Sequence, residues 1–273
     1  MVRIACLLVL LPSAAHAWSA CGHHLVCLIA YRSLSEAEQQ QVAELLTHHP
    51  RYEQDFQPPE WVSDRERYPI GYAGEWPDRA RELEEFNRPN WHYELGANRV
   101  LGKRSAVRVP ETLVELPGEA TLDTQDLHVL QAIALCRRVL GDASAPPAHR
   151  ALAISWLGHL VGDLHQPCHA GSLYVGGVFP DGDQGANLIL TLQAGNLHAF
   201  WDRLLGNQYD EADIRRRERE VMNAGPAKLG KRSDRWVRLE PEAWRAESQA
   251  LAVDYVYTPA VLAHVRAMQS AGR

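Results

Sequence analysis

The chain has 273 residues, of which 46% are hydrophobic and 23% charged. That is enough apolar sequence to bury a substantial core in one globular domain, with no second domain required. A formal net charge of -6 excludes binding of a polyanion through a generally basic surface, unless bound cations reverse the sign of a cleft.

At the N-terminus Arg3, the apolar run Ile4 to Leu11 and the small residues of Ala15-His16-Ala17 read as an export signal over residues 1–17, with the mature chain starting at Trp18. The apolar run is far shorter than the roughly 20 residues that span a bilayer, so no stable membrane anchor is expected. Export implies an oxidising compartment in which Cys21, Cys27, Cys136 and Cys168 are available for disulfides, or for burial as thiols. There is no CxxC pair and no Asn-x-Ser/Thr acceptor in the mature region, which points to a bacterial periplasmic or secreted protein.

Helical periodicity dominates the rest and predicts a mainly α fold. Helices are expected over 23–33, 36–48, 59–68, 77–85, 123–140, 147–165, 197–205, 211–224, 241–255 and 260–271. Ser35 and Glu38 form a capping-box pattern, and Pro147 suits the first turn of its helix. Residues 91–95 and 188–192 read as short strands or extended segments, giving at most one small hairpin. Residues 170–187, with five glycines, read as a loop. The arginine-rich stretch 215–219 reads as a solvated helix face.

The chemistry is concentrated in a few segments. In His159-Leu-Val-Gly-Asp163-Leu-His165-Gln-Pro167-Cys-His169, His159 and Asp163 share one helical face at i, i+4, and Pro167 ends the helix so that His169 can turn back. A lone histidine on an apolar helix is ordinarily a core residue; three histidines and an aspartate within eleven residues form a metal-ligand pattern. His198 and Asp202 repeat the i, i+4 pair in Asn196-Leu-His198-Ala-Phe-Trp-Asp202, which suggests more than one metal. At the mature terminus, Trp18 offers an α-amino nitrogen and a carbonyl oxygen, and His23 or His24 can join them. Asp78 and Arg81 stand at i, i+3 near a helix start, and His92 lies in the aromatic stretch Trp91-His92-Tyr93.

Taken together, Trp18, Gly22-His23, Trp76-x-Asp78-x-x-Arg81, His92-Tyr93, His159-x3-Asp163-x5-His169 and Asn196-Leu-His198-x3-Asp202 resemble the trinuclear zinc family of fungal single-strand nucleases and plant bifunctional nucleases. That family is related to zinc-dependent phospholipase C. The resemblance implies a helical phospholipase C/nuclease-type fold and three Zn2+. One zinc is held by Asp78, His92, His159 and Asp163, its neighbour by His169, His198 and Asp202, and the third by Trp18 and His23 with Asp163 bridging. It further implies hydrolysis of single-stranded DNA and RNA to 5′-phosphorylated products and of 3′-nucleotides by a monomeric exported enzyme. In that scheme Asp78 orients or deprotonates the attacking water, Arg81 and Asn187 stabilise phosphoryl oxygens, and Tyr93 stacks on a base. His165 matches a position that is not a ligand in the family and is expected to be supporting or structural.

Three departures bear on specificity. Ala186 replaces the second glycine of the family's Asp-x-Gly-Gly-Asn loop, Leu95 stands where an acidic or amide residue reads the base edge, and the final helix is short, ending at Ala271-Gly272-Arg273. Asp202, where related phospholipases carry Glu, favours a nuclease. The alternatives are a phospholipase C or a zinc-binding protein without turnover.

Overall fold

The computed structural model describes residues 18–94, 96–206, 210–228 and 240–271. The expected leader over 1–17, the base-edge position Leu95 and the terminal Gly272-Arg273 lie outside the described residues.

The architecture is mainly α. In chain order it comprises α1 (Ala20–Arg32), α2 (Glu36–Leu46), α3 (Tyr52–Asp55), α4 (Tyr68–Arg79), β1 (Ala97–Leu101), α5 (Val129–Gly141), α6 (Pro147–Leu164), β2 (Ser172–Val175), β3 (Leu190–Thr191), β4 (Gly195–Asn196), α7 (Leu197–Asp202), α8 (Glu211–Lys228), α9 (Pro241–Leu251) and α10 (Pro259–Ser270). A π-helical turn over Ala252–Val256 continues α9, so the helix expected to end at residue 255 changes its hydrogen bonding partway.

Local chemistry accounts for most boundaries. Ser35 caps α2 by accepting from the Glu38 amide while the Glu38 carboxylate accepts from the Ser35 amide, the reciprocal pair that satisfies two orphan donors of a first turn. The helices expected over 59–68 and 77–85 are replaced by α4. Residues 59–67 form turns, among them Val62 N–H to the Pro59 carbonyl, and α4 runs through Pro77. Pro69 occupies the first turn, where a missing N–H costs nothing, and Pro77 near the last turn removes one bond. Burial of Ile70, Ala73 and Trp76 on the same helix offsets that loss. α5 begins at Val129 rather than residue 123, with the Gln131 side chain accepting from the His128 amide.

The strands also differ from expectation. Residues 89–92 form a 3-10 turn, and the strand lies after it, at Ala97–Leu101. It pairs in parallel with Ser172–Val175, inside the stretch expected to be loop, with an irregularity between Ala97 and Arg99. β2 is buried throughout, which a glycine-rich flank conceals in the sequence. β3, inside the expected segment 188–192, pairs antiparallel with β4, which lies beyond it.

The buried apolar residues form two clusters. The first joins α1, α4, α5 and α6 around Trp76, Trp91, Trp156 and Leu160. The second gathers Cys168, Leu173, Ile189, Leu197, Val256 and Leu262. α6 supplies the first cluster as far as Leu164, and the second begins at Cys168, so the segment 159–169 sits at the seam between them. Among the described residues no disulfide joins two cysteines; burial pushes the Cys27 thiol up to about 12. On α8, Arg215 pairs with Glu211, Arg216 with Asp213 and Glu220, and Arg217 with Asp213, a salt-bridged helix face as expected.

Candidate metal centre

α6 is the scaffold of the site. His159 and Asp163, one turn apart, are both fully buried, and His159 Nε2 lies 3.1 Å from Asp163 Oδ2. The other Asp163 oxygen, Oδ1, lies 3.4 Å from His23 Nε2 of α1. His92 Nδ1 approaches Asp163 Oδ2 at 3.0 Å and His159 Nε2 at 2.9 Å. Asp78, in the last turn of α4, sits 3.9 Å from His159 Nε2 and 4.0 Å from His92 Nδ1. A few ångströms away, His169 Nε2 and His198 Nε2 face each other at 3.0 Å, with Asp202 Oδ2 3.5 Å from His198 Nε2. The donor atoms form three groups, His23-His159-Asp163, Asp78-His92-His159 and His169-His198-Asp202.

The outer hydrogen bonds set how these imidazoles present themselves. His159 Nδ1 faces the Gly74 carbonyl at 2.7 Å, His169 Nδ1 the His92 carbonyl at 2.5 Å, and His198 Nδ1 the Gly185 carbonyl at 2.7 Å. A carbonyl only accepts, so each Nδ1 carries the proton, and in the neutral imidazole each Nε2 carries a lone pair; at His159 burial is outweighed by Asp163 and Asp78, which raise the ring above its ordinary value. His169 and His198 therefore point two lone pairs at one another. Nearby, both nitrogens of His23, Nε2 of His92 and Oδ1 of Asp163 are buried without a hydrogen-bond partner. Buried unsatisfied groups cost about 1–3 kcal/mol each, a penalty that a cation among them removes. The spacings agree as well: ligands about 2 Å from a tetrahedral ion stand roughly 3.3 Å apart, and these pairs span 2.9 to 4.0 Å, with Asp78 the widest. The donor set fits divalent metal.

Electrostatics follows the same pattern. Burial would raise the Asp163 carboxyl, but His159, His23 and His92 outweigh it and hold it well below the ordinary range. Asp78, raised by burial but lowered by His159, Arg81 and His92, falls to about 2. Burial lowers His92 and His198 to about 3, helped by Arg81 at His92 and by His169 at His198. These imidazoles are neutral at neutral pH, the form that binds metal. Asp202 is the contrast: burial pushes it up to about 8, and Asp163 and Asp78 add to the rise against a hydrogen bond from Gln166.

Arg81 donates through Nε to Asp78 Oδ1 at 2.9 Å, and its charge reaches His92, His169 and His198. Trp18 is half-buried just before α1. A Cβ on Gly22 would come within 2.6 Å of Trp18 Cβ, so only glycine lets Trp18 pack there. The amide of Ser19 donates to the Asp202 carbonyl at 2.9 Å, tying the start of the described chain to α7. Tyr93 directs its hydroxyl to Asn90 Oδ1 at 3.0 Å. The Asn187 side chain donates to the Gln184 carbonyl, a bond within its own loop rather than to a member of the cluster.

His23, not His24, joins the cluster; His24 is committed to Glu75, with Nδ1 and Oε1 2.5 Å apart. His165 is exposed, its Nδ1 on the Val161 carbonyl and its ring 5.5 Å from Trp244, a structural role. The supporting residue inside the motif is Gln166, fully buried, which donates to Asp202 Oδ1 at 2.6 Å. Sequence reasoning missed it, although its place between two histidines was a signal. Backbone carbonyls of residues 74, 92 and 185 carry no side-chain signal, except that Gly185 stands in an unusual loop. Gln184, Gly185 and Ala186 all have positive φ, at 57°, 61° and 69°, and Asp183 anchors that loop by accepting from the Leu173 amide and the Tyr257 hydroxyl.

No individual curated protein matches the chain. The sequence model of the S1/P1 nuclease family matches residues 18–270, beginning at Trp18 and spanning every residue of the three donor groups. The chain belongs to the S1/P1 nuclease family, zinc-dependent hydrolases of phosphodiester bonds.

Proposed function

We propose that the protein is exported, cleaved between Ala17 and Trp18, and acts as a monomer that hydrolyses single-stranded DNA and RNA to 5′-phosphorylated products and removes phosphate from 3′-nucleotides. The observation that carries this reading is the position of Asp163, whose two oxygens face His23 on one side and His92 and His159 on the other. One carboxylate can thereby serve two ions. Asp78, His92, His159 and Asp163 would hold one Zn2+, His169, His198 and Asp202 a second, and Trp18 and His23 a third with Asp163 shared. The start of the family match at Trp18 supports cleavage at that bond.

When bound, zinc supplies an activated water at neutral pH and Lewis-acid stabilisation of the phosphoryl oxygens. The chain's own groups do the rest. Asp78, held near 2, accepts a hydrogen bond from the attacking water and orients it, being too weak a base to keep its proton. Arg81, fixed through Nε, turns its remaining donors toward the phosphoryl oxygens as charge builds. Tyr93, held by Asn90, offers a face for a base, and Asn187 would have to leave Gln184 to reach the substrate. Three divalent ions bring +6 against -3 from Asp78, Asp163 and Asp202, so the cleft attracts a polyanion although the chain carries -6.

Elemental analysis of correctly processed protein should find three zinc ions per chain, with cleavage of single-stranded DNA, RNA and 3′-AMP. Cleavage of phosphatidylcholine with none of nucleic acid would replace this reading with a phospholipase. Full zinc content with no hydrolysis would leave a zinc-binding protein, and a dimer by light scattering would remove the monomer.

A further inference from the structure

Large apolar side chains left in solvent are concentrated in the segment around α7, the helix that carries His198 and Asp202. Of the eleven large hydrophobics exposed among the described residues, five lie between positions 188 and 204: Leu188, Leu190, Leu192, Phe200 and Leu204. Three of them lie at the β3–β4 hairpin, Leu188 in the turn before it, Leu190 in β3 and Leu192 in the connecting turn. Leu188 is 43% exposed, Leu190 78% and Leu192 102%, while Ile189 between the first two is buried. The exposed leucines stand in water while buried Ile189 roots the segment in the protein. The root is firm, because the Leu197 amide donates to the Ile189 carbonyl at 2.8 Å and α7 follows directly.

We propose that this hairpin inserts its leucines into the interface of a lipid bilayer and holds the enzyme, metal cleft included, at a membrane surface. Four features select lipid over other occupants. From Leu188 through Trp201 no residue carries a formal charge with His neutral, so the segment offers nothing to a phosphate backbone and nothing to a charged protein surface. The side chains exposed on the hairpin itself, Leu188, Leu190 and Leu192, are aliphatic, whereas base stacking uses aromatic faces. β3 and β4 are two residues long, too short an edge for strand addition by another chain. The three leucines present about half of the roughly 800 Å² per partner that a stable protein interface needs, so a second copy would be held poorly. A lipid interface has no shape to match and accepts a convex apolar tip, and shallow burial of a few leucines gives weak, reversible attachment. The net charge of -6 adds no attraction to anionic lipid, so attachment should be no tighter on anionic than on zwitterionic vesicles.

The test is co-sedimentation of the mature zinc-loaded protein with vesicles of phosphatidylcholine, and of phosphatidylcholine with one-third phosphatidylglycerol. The wild type should pellet with both, no better with the second. The double variant L190Q/L192Q should show at least a fivefold smaller bound fraction while cleaving a soluble single-stranded oligonucleotide at the wild-type rate. Because binding is read separately from cleavage, loss of the nuclease reading would leave this result standing, and the reverse. A wild type that stays in the supernatant, or a variant that pellets equally, overturns the proposal. So does a concentration-dependent dimer that the double variant abolishes, which would assign the leucines to a second copy.

Discussion

Arg81 has its Nε–H committed to Asp78, so the side chain is aimed before any substrate arrives. Lysine at this position could hold Asp78 or reach a phosphoryl oxygen, but it lacks the fork that does both. R81K should therefore lower kcat about 10- to 100-fold with KM for a short single-stranded substrate changed much less, as steady-state kinetics would show. Asp202 makes a second residue-scale expectation. Burial holds its folded metal-free carboxyl up at about 8, so at pH 7 it keeps a proton that an incoming cation displaces. His169 and His198, lowered by burial, have no such proton to lose. Affinity at the His169-His198-Asp202 group should rise with pH until about 8 and level off above it. Calorimetric titration with zinc at pH 7 in two buffers of different ionisation enthalpy should find about one fewer proton released by D202N than by the wild type.

At the scale of elements, the loop 183–187 is what aims α7. Gly185, at φ 61°, offers its carbonyl to His198, and a Cβ there would stand 2.2 Å from the Cys168 carbonyl oxygen. Backbone on both sides leaves nothing flexible to yield, so G185A should cost about 2 kcal/mol or more in denaturant unfolding and lower zinc content at the His198 group. An unshifted midpoint with full zinc would contradict this account of the loop. The same loop shows why local reading stops short. The i, i+4 pairs of α6 and α7 were legible because helical geometry alone places His159 beside Asp163 and His198 beside Asp202. α4 was misread because proline at 77 signals a helix start, whereas burial of Trp76 on one continuous helix outweighs the lost bond. Gln166 was missed because the chain leaves the helix at residue 164, and which side chain then turns inward depends on what packs outside it.

For the molecule as a whole, the proposed start of the mature chain at Trp18 carries the largest consequence. The Ser19 amide is bonded to the Asp202 carbonyl, and Trp18 packs on Gly22, one residue before His23. If the freed α-amino group is a ligand, a chain with one additional residue ahead of Trp18 presents an amide instead and should hold two zinc ions rather than three. Its kcat on single-stranded DNA should fall at least about 100-fold, because an amide nitrogen is a poor donor at neutral pH. Elemental analysis beside the assay checks it, and full activity from the extended chain would exclude the terminus from the site. The sequence by itself determined the helical class and the two i, i+4 His-Asp pairs, because periodicity and side-chain chemistry are local properties. Only the tertiary structure decided that His23 rather than His24 turns to Asp163, that carbonyls of residues 74, 92 and 185 aim the imidazoles, and that three leucines of the segment before α7 stay in water. Those outcomes depend on which helices cross and which faces they cover, and no single segment holds that information.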